Sequence, residues 1–249
     1  MIVLKSEKEI RQMLEACRIS AEALKVAGEA VEPGVSTWEI DRIARKFIES
    51  KGAIPTFLNY NGFPAAACIS INDEVIHGIP DKAHIIRAGD IVSIDLGARI
   101  NGYTGDNAAT FACGDVSAEA KRLMETTEES LYVGIKKAVP GGRIGDIGSA
   151  IQQYCEERGY SVVREYTGHG VGAALHEDPS VPNYGTPGRG VRLVPGMTIA
   201  IEPMINEGKA SVKTLSNGWT VKTTDGKLSA HFEHTIAITS SGPLIMTKL

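Results

Sequence analysis

The stretch from Val92 to Phe111, VSIDLGARINGYTGDNAATF, constrains the chain most, because it sets two aspartates into sequence that otherwise reads as buried strand. Ile91-Val92-Ser93-Ile94-Asp95-Leu96 is β-branched and apolar, and Tyr103 to Phe111 resumes that character after Asn101-Gly102, a two-residue turn of hairpin type. An unpaired carboxylate inside such a strand is costly or has its pKa driven upward, so something must hold the charges of Asp95 and Asp106. Counted outward from the turn, the aspartates lie six and four residues from its edges. They share a face of the hairpin if a bulge shifts the register. Two carboxylates side by side imply a cation.

The 249 residues can bury a substantial core, as one large α/β domain or two small ones. With 26 Lys and Arg against 30 Asp and Glu, a net charge of −4, and no dense basic run, nucleic-acid binding is not the expected main role. Cys17, Cys68, Cys113 and Cys155 are dispersed, which fits reduced thiols in a cytosolic protein and no Cys-rich zinc site. MIVLKSEKEIRQM turns charged after four residues, unlike a signal peptide, and no segment approaches the ~20 apolar residues of a membrane span. A soluble, cytoplasmic protein is expected.

Ser6, with Glu9 three residues on, opens an amphipathic helix running to about Ala30, and a second runs from Ser36 or Thr37 to the Gly52 stop. Aromatics mixed with Asn, Gly and Pro follow in PTFLNYNGFPAAA, the composition of a pocket-lining loop, and then a strand is expected at Cys68 to Asn72. Beyond the hairpin, helices are expected over Ser117 to Val139 and Ile144 to Arg158.

This repeats the beginning. A single constant offset lays Pro33-Gly34 on Pro140-Gly141, Gly52 on Gly159, Gly89 on Gly196 and Asp95 on Glu202, which again falls inside an apolar strand, Thr198 to Pro203. Past an insertion at Gly208 to Lys227, Gly105-Asp106 aligns with Phe232-Glu233 at a larger offset, and His77-x-x-Pro80 recurs as His176-x-x-Pro179. Two halves, about 6–111 and 113–249, are therefore expected in one catalytic domain spanning 1–249. Each gives one carboxylate from each strand of a hairpin, so four acids meet at a pseudo-twofold axis.

Tyr166-Thr167-Gly168-His169-Gly170-Val171-Gly172 adds an imidazole whose flanking glycines let backbone approach closely. Four carboxylates and one imidazole carry too much negative charge for one divalent ion but suit two, about 3.5–4 Å apart with a water or hydroxide between them. The implied chemistry is metal-assisted hydrolysis. His84, His231 and His234 are expected to play supporting or surface roles.

The set Asp95, Asp106, His169, Glu202 and Glu233, with the phrases YTGHGVG, IAIEPM and FEHT, resembles the type I methionine aminopeptidases of the M24 peptidases, from about Ser6 to the C-terminus. The resemblance implies the α+β pita-bread fold, with paired helices and antiparallel hairpins in two pseudo-symmetric halves around a dinuclear metal site. It makes these five residues the ligands, Asp106 and Glu233 bridging, and gives Glu202 a general-base role towards a metal-bound water. It places His77 and His176 against the scissile peptide, and we assign contact with the peptide nitrogen to His77 and oxyanion stabilisation to His176. Tyr60, Phe63, Cys68, Leu175 and Trp219 would line a methionine pocket, and a monovalent cation would sit near Asn72 and Ser229. The ions would be Co, Mn, Fe or Zn, which all suit these ligands. The activity implied is removal of the initiator methionine from nascent chains with a small second residue. A monomer without stable nucleic-acid or membrane partners is expected, and ribosome docking is left open.

Two alternatives stand beside this reading. X-Pro-directed peptidases such as aminopeptidase P and prolidase are similar in fold and ligands but carry a large domain ahead of the metal-binding half, whereas this chain begins directly with the repeat. A non-catalytic protein- or RNA-binding relative would be expected to lose ligands and gain basic surface, and here every ligand position is filled in an acidic chain.

Overall fold

Four helices form where the sequence supplies caps. The computed structural model describes residues 1–249, with α1 at Glu7–Glu29, α2 at Thr37–Ser50, α3 at Ala118–Ile135 and α4 at Ile144–Glu156. Ser6 Oγ accepts the Glu9 N–H at 3.3 Å while the Ser6 N–H donates to Glu9 Oε2 at 2.8 Å, the reciprocal pair that starts α1. Ser36 and Ser117 cap α2 and α3 in the first of these ways, and Asp146 Oδ2 accepts the Arg143 N–H at 2.7 Å to open α4. The helix expected to reach Val139 stops at Ile135, because the backbone N–H groups of Lys137 and Ala138 turn to the carbonyls of Gly134 and Ile135 in a tighter coil.

The helices cover a nine-stranded sheet. Its strands run in the order Ile54–Pro55, Ile91–Ile100, Tyr103–Ala112, Glu233–Thr239, Thr198–Ile201, Gly168–Gly170 and Glu177–Val181, with Ala67–Ile71 also on the second and Gly242–Ile245 also on the fourth. All pairings are antiparallel. One core packs Ile40, Ile48, Ile94 and Leu96 beneath α1 and α2. The other packs Leu123, Leu131, Ile147, Ile151, Ile199 and Ile236 beneath α3 and α4.

Positions matched by the repeat adopt one backbone conformation. Gly34 and Gly141 have φ of 93° and 90°, Gly52 and Gly159 72° and 83°, and Gly89 and Gly196 94° each. The isolated bridges Ser36↔Ile85 and Arg143↔Arg192 are related by the same offset. The insertion forms a hairpin, Val212–Thr214 with Val221–Thr223, that joins Glu74–Ile76 in a separate three-stranded sheet.

The first hairpin turns at Asn101-Gly102 in unbroken register, with Ile100↔Tyr103, Gly97↔Asp106 and Asp95↔Ala108 paired. The bulge expected to bring Asp95 and Asp106 to one face is therefore absent and unnecessary. Asp106 faces Gly97, two residues from Asp95, and residues two apart on a strand share a face. The Glu233↔Ala108 pairing extends the same row across a third strand.

This face is fixed from behind by α1. A Cβ on Gly105 would lie 2.4 Å from Cys17 Cα and 2.5 Å from Cys17 N, so the backbones of helix and strand touch one residue before Asp106. Gly105→Ala should force them apart and destabilise the protein by about 1–3 kcal/mol, seen as a lower urea midpoint with unchanged slope. A wild-type midpoint would show that the contact yields without cost.

Candidate metal centre

Side chains of opposed residues in an antiparallel sheet project to one side, so Asp95, Ala108 and Glu233 form a row with Asp106 diagonal to it. The small Ala108 leaves the space over which the acids converge. Asp106 and Glu233 are each 3% exposed. Glu202 arrives from the next strand. The ladder ends at Ile201, opposite His234, so Glu202 lies just past the strand expected to contain it. Pro203, with no N–H to give, follows immediately.

His169 sits on Gly168–Gly170, where the register shifts between the two glycines, an irregularity that re-aims the side chain. Both glycines answer to crowding. A Cβ on Gly168 would lie 2.3 Å from Ala200 O, and one on Gly170 would lie 2.2 Å from Asp178 O. His169 Nδ1–H donates to Gly170 O at 2.8 Å, so the lone pair is on Nε2, which faces Asp106 Oδ2 at 3.6 Å and Glu202 Oε1 at 3.5 Å. Burial pushes this imidazole down to about 3, which keeps it in the neutral form that binds metal.

Ligand atoms of Asp106, His169 and Glu233 lie within 4.8 Å of one another. No lysine or arginine pairs with any of the four carboxylates; their only ion-pair contacts are histidines. Asp95 Oδ1, Asp106 Oδ1 and Glu233 Oε1 are sealed from solvent without a hydrogen-bond partner. Buried oxygens of this kind demand a countercharge. Hard carboxylate oxygens with one imidazole nitrogen fit a divalent ion.

The other predicted residues surround a cavity of about 190 Å³ above the acids. His77, His176, Tyr60, Phe63, Cys68, Leu175 and Trp219 all line it, together with Phe57 and Asn61, which the sequence reading missed although both lie in or beside the aromatic loop. Cys68 pairs with Asp95 across the ladder, Phe63 meets Trp219 edge-on at 5.2 Å, and the inserted hairpin carries Trp219 between its strands. His176 Nδ1 lies 2.8 Å from the Tyr60 hydroxyl, and its ring centroid 4.1 Å from that of His169. His77 has φ of 58°, a left-handed conformation that costs energy in a non-glycine residue and gathers at working sites. Burial pushes its imidazole down to about 4.

Of the histidines given supporting or surface roles, His231 is the one set against the acids. It is 1% exposed, both ring nitrogens lack a hydrogen-bond partner, and Nε2 faces Glu202 Oε2 at 3.6 Å. Nothing in SAHFEHT separates it from His234, which bonds Thr247 and Tyr132 away from the acids. Asn72 and Ser229 are neighbours, the Ser229 N–H donating to Asn72 O at 2.9 Å. No helix is long and apolar enough to cross a membrane.

A buried cluster of acids without lysine or arginine, set on an antiparallel sheet, fits a metal-dependent enzyme, and the chain belongs to metallopeptidase family M24, whose family model matches residues 11–240. Its full-length relatives are methionine aminopeptidases. Methionine aminopeptidase 1 of Bacillus subtilis is 53% identical over 249 residues, covering 100% of both chains. The crystal structure of methionine aminopeptidase from Thermotoga maritima superposes with a TM-score of 0.98 at 44% identity, again covering 100% of both. A prolidase from Pyrococcus horikoshii shares the fold at a TM-score of 0.78 and 27% identity, but this chain covers 64% of it.

Burial pushes Asp95 up to about 7 and Glu202 up to about 8, and burial followed by neighbouring carboxylates holds Asp106 and Glu233 well above the ordinary range. Each group binds its proton more tightly folded than unfolded. These four groups therefore contribute stability to the metal-free protein as pH falls from about 8 and withdraw it as pH rises, while the buried histidines, held neutral, oppose that gain once pH drops below the ordinary imidazole range. A bound divalent ion takes the place of those protons, so the rise in Tm on adding one to stripped protein should be larger near pH 8 than near pH 6. Thermal unfolding at the two values measures this, and an equal or smaller rise near pH 8 would remove the assignment.

Proposed function

We propose that this protein removes N-terminal methionine from nascent proteins and peptides whose second residue is small. The reading is carried by one observation, the convergence of Asp95, Asp106, His169, Glu202 and Glu233 without a cationic side chain at the floor of an aromatic-walled cavity. Asp95, Asp106, His169, Glu202 and Glu233 would hold two divalent ions, drawn from Co, Mn, Fe or Zn. When bound, such ions acidify water and polarise a carbonyl. Glu202 takes the proton from the attacking water. His176, at the exposed rim, donates to the carbonyl oxygen as it gains charge, and His77 contacts the peptide nitrogen.

Specificity follows from the walls. An unbranched thioether is suited to a confined apolar space bounded by Tyr60, Phe63, Cys68, Leu175 and Trp219. We further propose one catalytic domain over 1–249 in two halves, about 6–111 and 113–249, a cytoplasmic location, and a monovalent cation near Asn72 and Ser229. The paired glycine conformations and the paired bridges support the halves.

Metal-loaded protein should release methionine from Met-Ala-Ser far faster than from a Met-Lys peptide, and should leave an X-Pro peptide intact, with free methionine as the readout. Preferred cleavage of the X-Pro peptide would instead assign the chain to the proline-directed branch. His176→Ala should retain its metal and lose on the order of 10²–10³ in kcat, whereas His169→Ala should also lose metal affinity. Calorimetric metal titration beside turnover separates the two, and metal loss in the His176 variant would make that residue a ligand.

A further inference from the structure

The residues ahead of α1 reach into the active-site loop. Lys5 is 6% exposed; its backbone N–H donates to Gly196 O at 2.7 Å, and its Nζ donates to Val3 O at 3.1 Å and ion-pairs with Glu177 Oε2. The Glu177 side chain is only 12% exposed, and its second oxygen, Oε1, accepts the Ala174 N–H at 3.1 Å. One carboxylate thus joins Lys5 to both ends of the turn Ala174-Leu175-His176. The Gly172 N–H donates to Ala174 O at 3.0 Å, and the Thr104 N–H ties Gly172 O to the hairpin edge at 2.8 Å.

Space for this pair is built into the sequence. A Cβ on Gly172 would lie 2.5 Å from Lys5 Cε and 2.6 Å from both Lys5 Nζ and Glu177 Oε1. The last glycine of YTGHGVG therefore admits an ion pair, whereas Gly168 and Gly170 admit backbone. Gly196 plays the matching part on the other side, its Cβ position 2.8 Å from Lys5 O.

We infer that Lys5 is a positioning residue for His176, acting through Glu177, so that the segment before the first helix belongs to the catalytic apparatus. This rests on the proposed place of His176 at the scissile bond. A carboxylate this enclosed needs its countercharge. Without Lys5, Glu177 turns to solvent and releases Ala174, and His176 keeps only the Tyr60 hydroxyl and the His169 ring as neighbours that fix it. A displacement of about 1 Å in a group that meets the transition state costs up to ~10²-fold in rate.

Lys5→Met, of similar length but without charge, should bind metal with wild-type stoichiometry and an unchanged KM while kcat falls by about 10- to 100-fold, and Lys5→Arg should recover most of the loss. In a His176→Ala background the Lys5→Met change should cost nothing further, which a general loss of stability would not reproduce. Should Lys5→Met fail to fold, Lys5→Met/Glu177→Gln carries no unpaired buried charge and replaces it in the same cycle, compared with wild type and with His176→Ala. The ¹⁵N imidazole signal of His176, assigned by its absence in His176→Ala, should shift in the Lys5 variant. That readout needs no methionine release, so it tests the tether even if the peptide assays overturn the proposed function. A kcat within about twofold of wild type, an unmoved His176 signal, or a loss that persists undiminished without His176 overturns the inference.

Discussion

Four carboxylates turned towards one another with no lysine or arginine among them are the constraint from which the rest of the structure follows. Lost hydration opposes the ionisation of all four, and repulsion from neighbouring carboxylates adds to it at Asp95, Asp106 and Glu233, so in the metal-free protein their protons are held more tightly than on a free side chain. Only a rigid frame keeps such groups together. The frame is the row Asp95, Ala108 and Glu233 across three strands, pressed from behind by α1 at Gly105. Each device brings backbone close, and each removes a side chain that would stand in the way.

The two proposed halves share backbone conformation at paired positions and differ in what they carry. Glycine conformations and bridges that match at one constant offset supply similar carboxylate-bearing hairpins. His169 has no such counterpart, since neither the constant offset nor the one that pairs His176 with His77 sets a histidine opposite it, the two positions being Gly62 and Ser70. The inserted hairpin, found only in the second half, brings Trp219 against Phe63 from the first. A pocket made from unlike parts lies over acids placed alike, which gives the cavity one apolar wall and one charged floor. Directional binding of a chain end requires that asymmetry.

Much of this was legible because local chemistry left few choices. Ser6, Ser36 and Ser117 mark helix starts through hydrogen bonds that their own first turns complete, and Asn101-Gly102 marks a hairpin. The bulge expected in that hairpin was an error of parity, since the register already sets both aspartates on one face. His231 was illegible for a different reason. It and His234 flank Glu233 in the same short phrase, and a strand that begins at Glu233 after the pairing of Ser229–His231 with another sheet breaks the simple alternation of faces. Glu202 likewise lies where one ladder ends and the next begins, at a proline that periodicity alone does not place.

The sequence by itself determined the helices, the hairpins, the repeat and the residue types able to hold metal, because these depend on caps, turns and the cost of charge within apolar strands. Tertiary structure alone decided that His231 also faces Glu202, how Phe57 and Asn61 enter the cavity, and why Gly172 must be glycine. Those outcomes depend on contacts between segments far apart in the chain, as between Lys5 and Glu177. Such contacts leave no local period or spacing to read, and their physical basis is the exclusion of one atom by another in a packed interior.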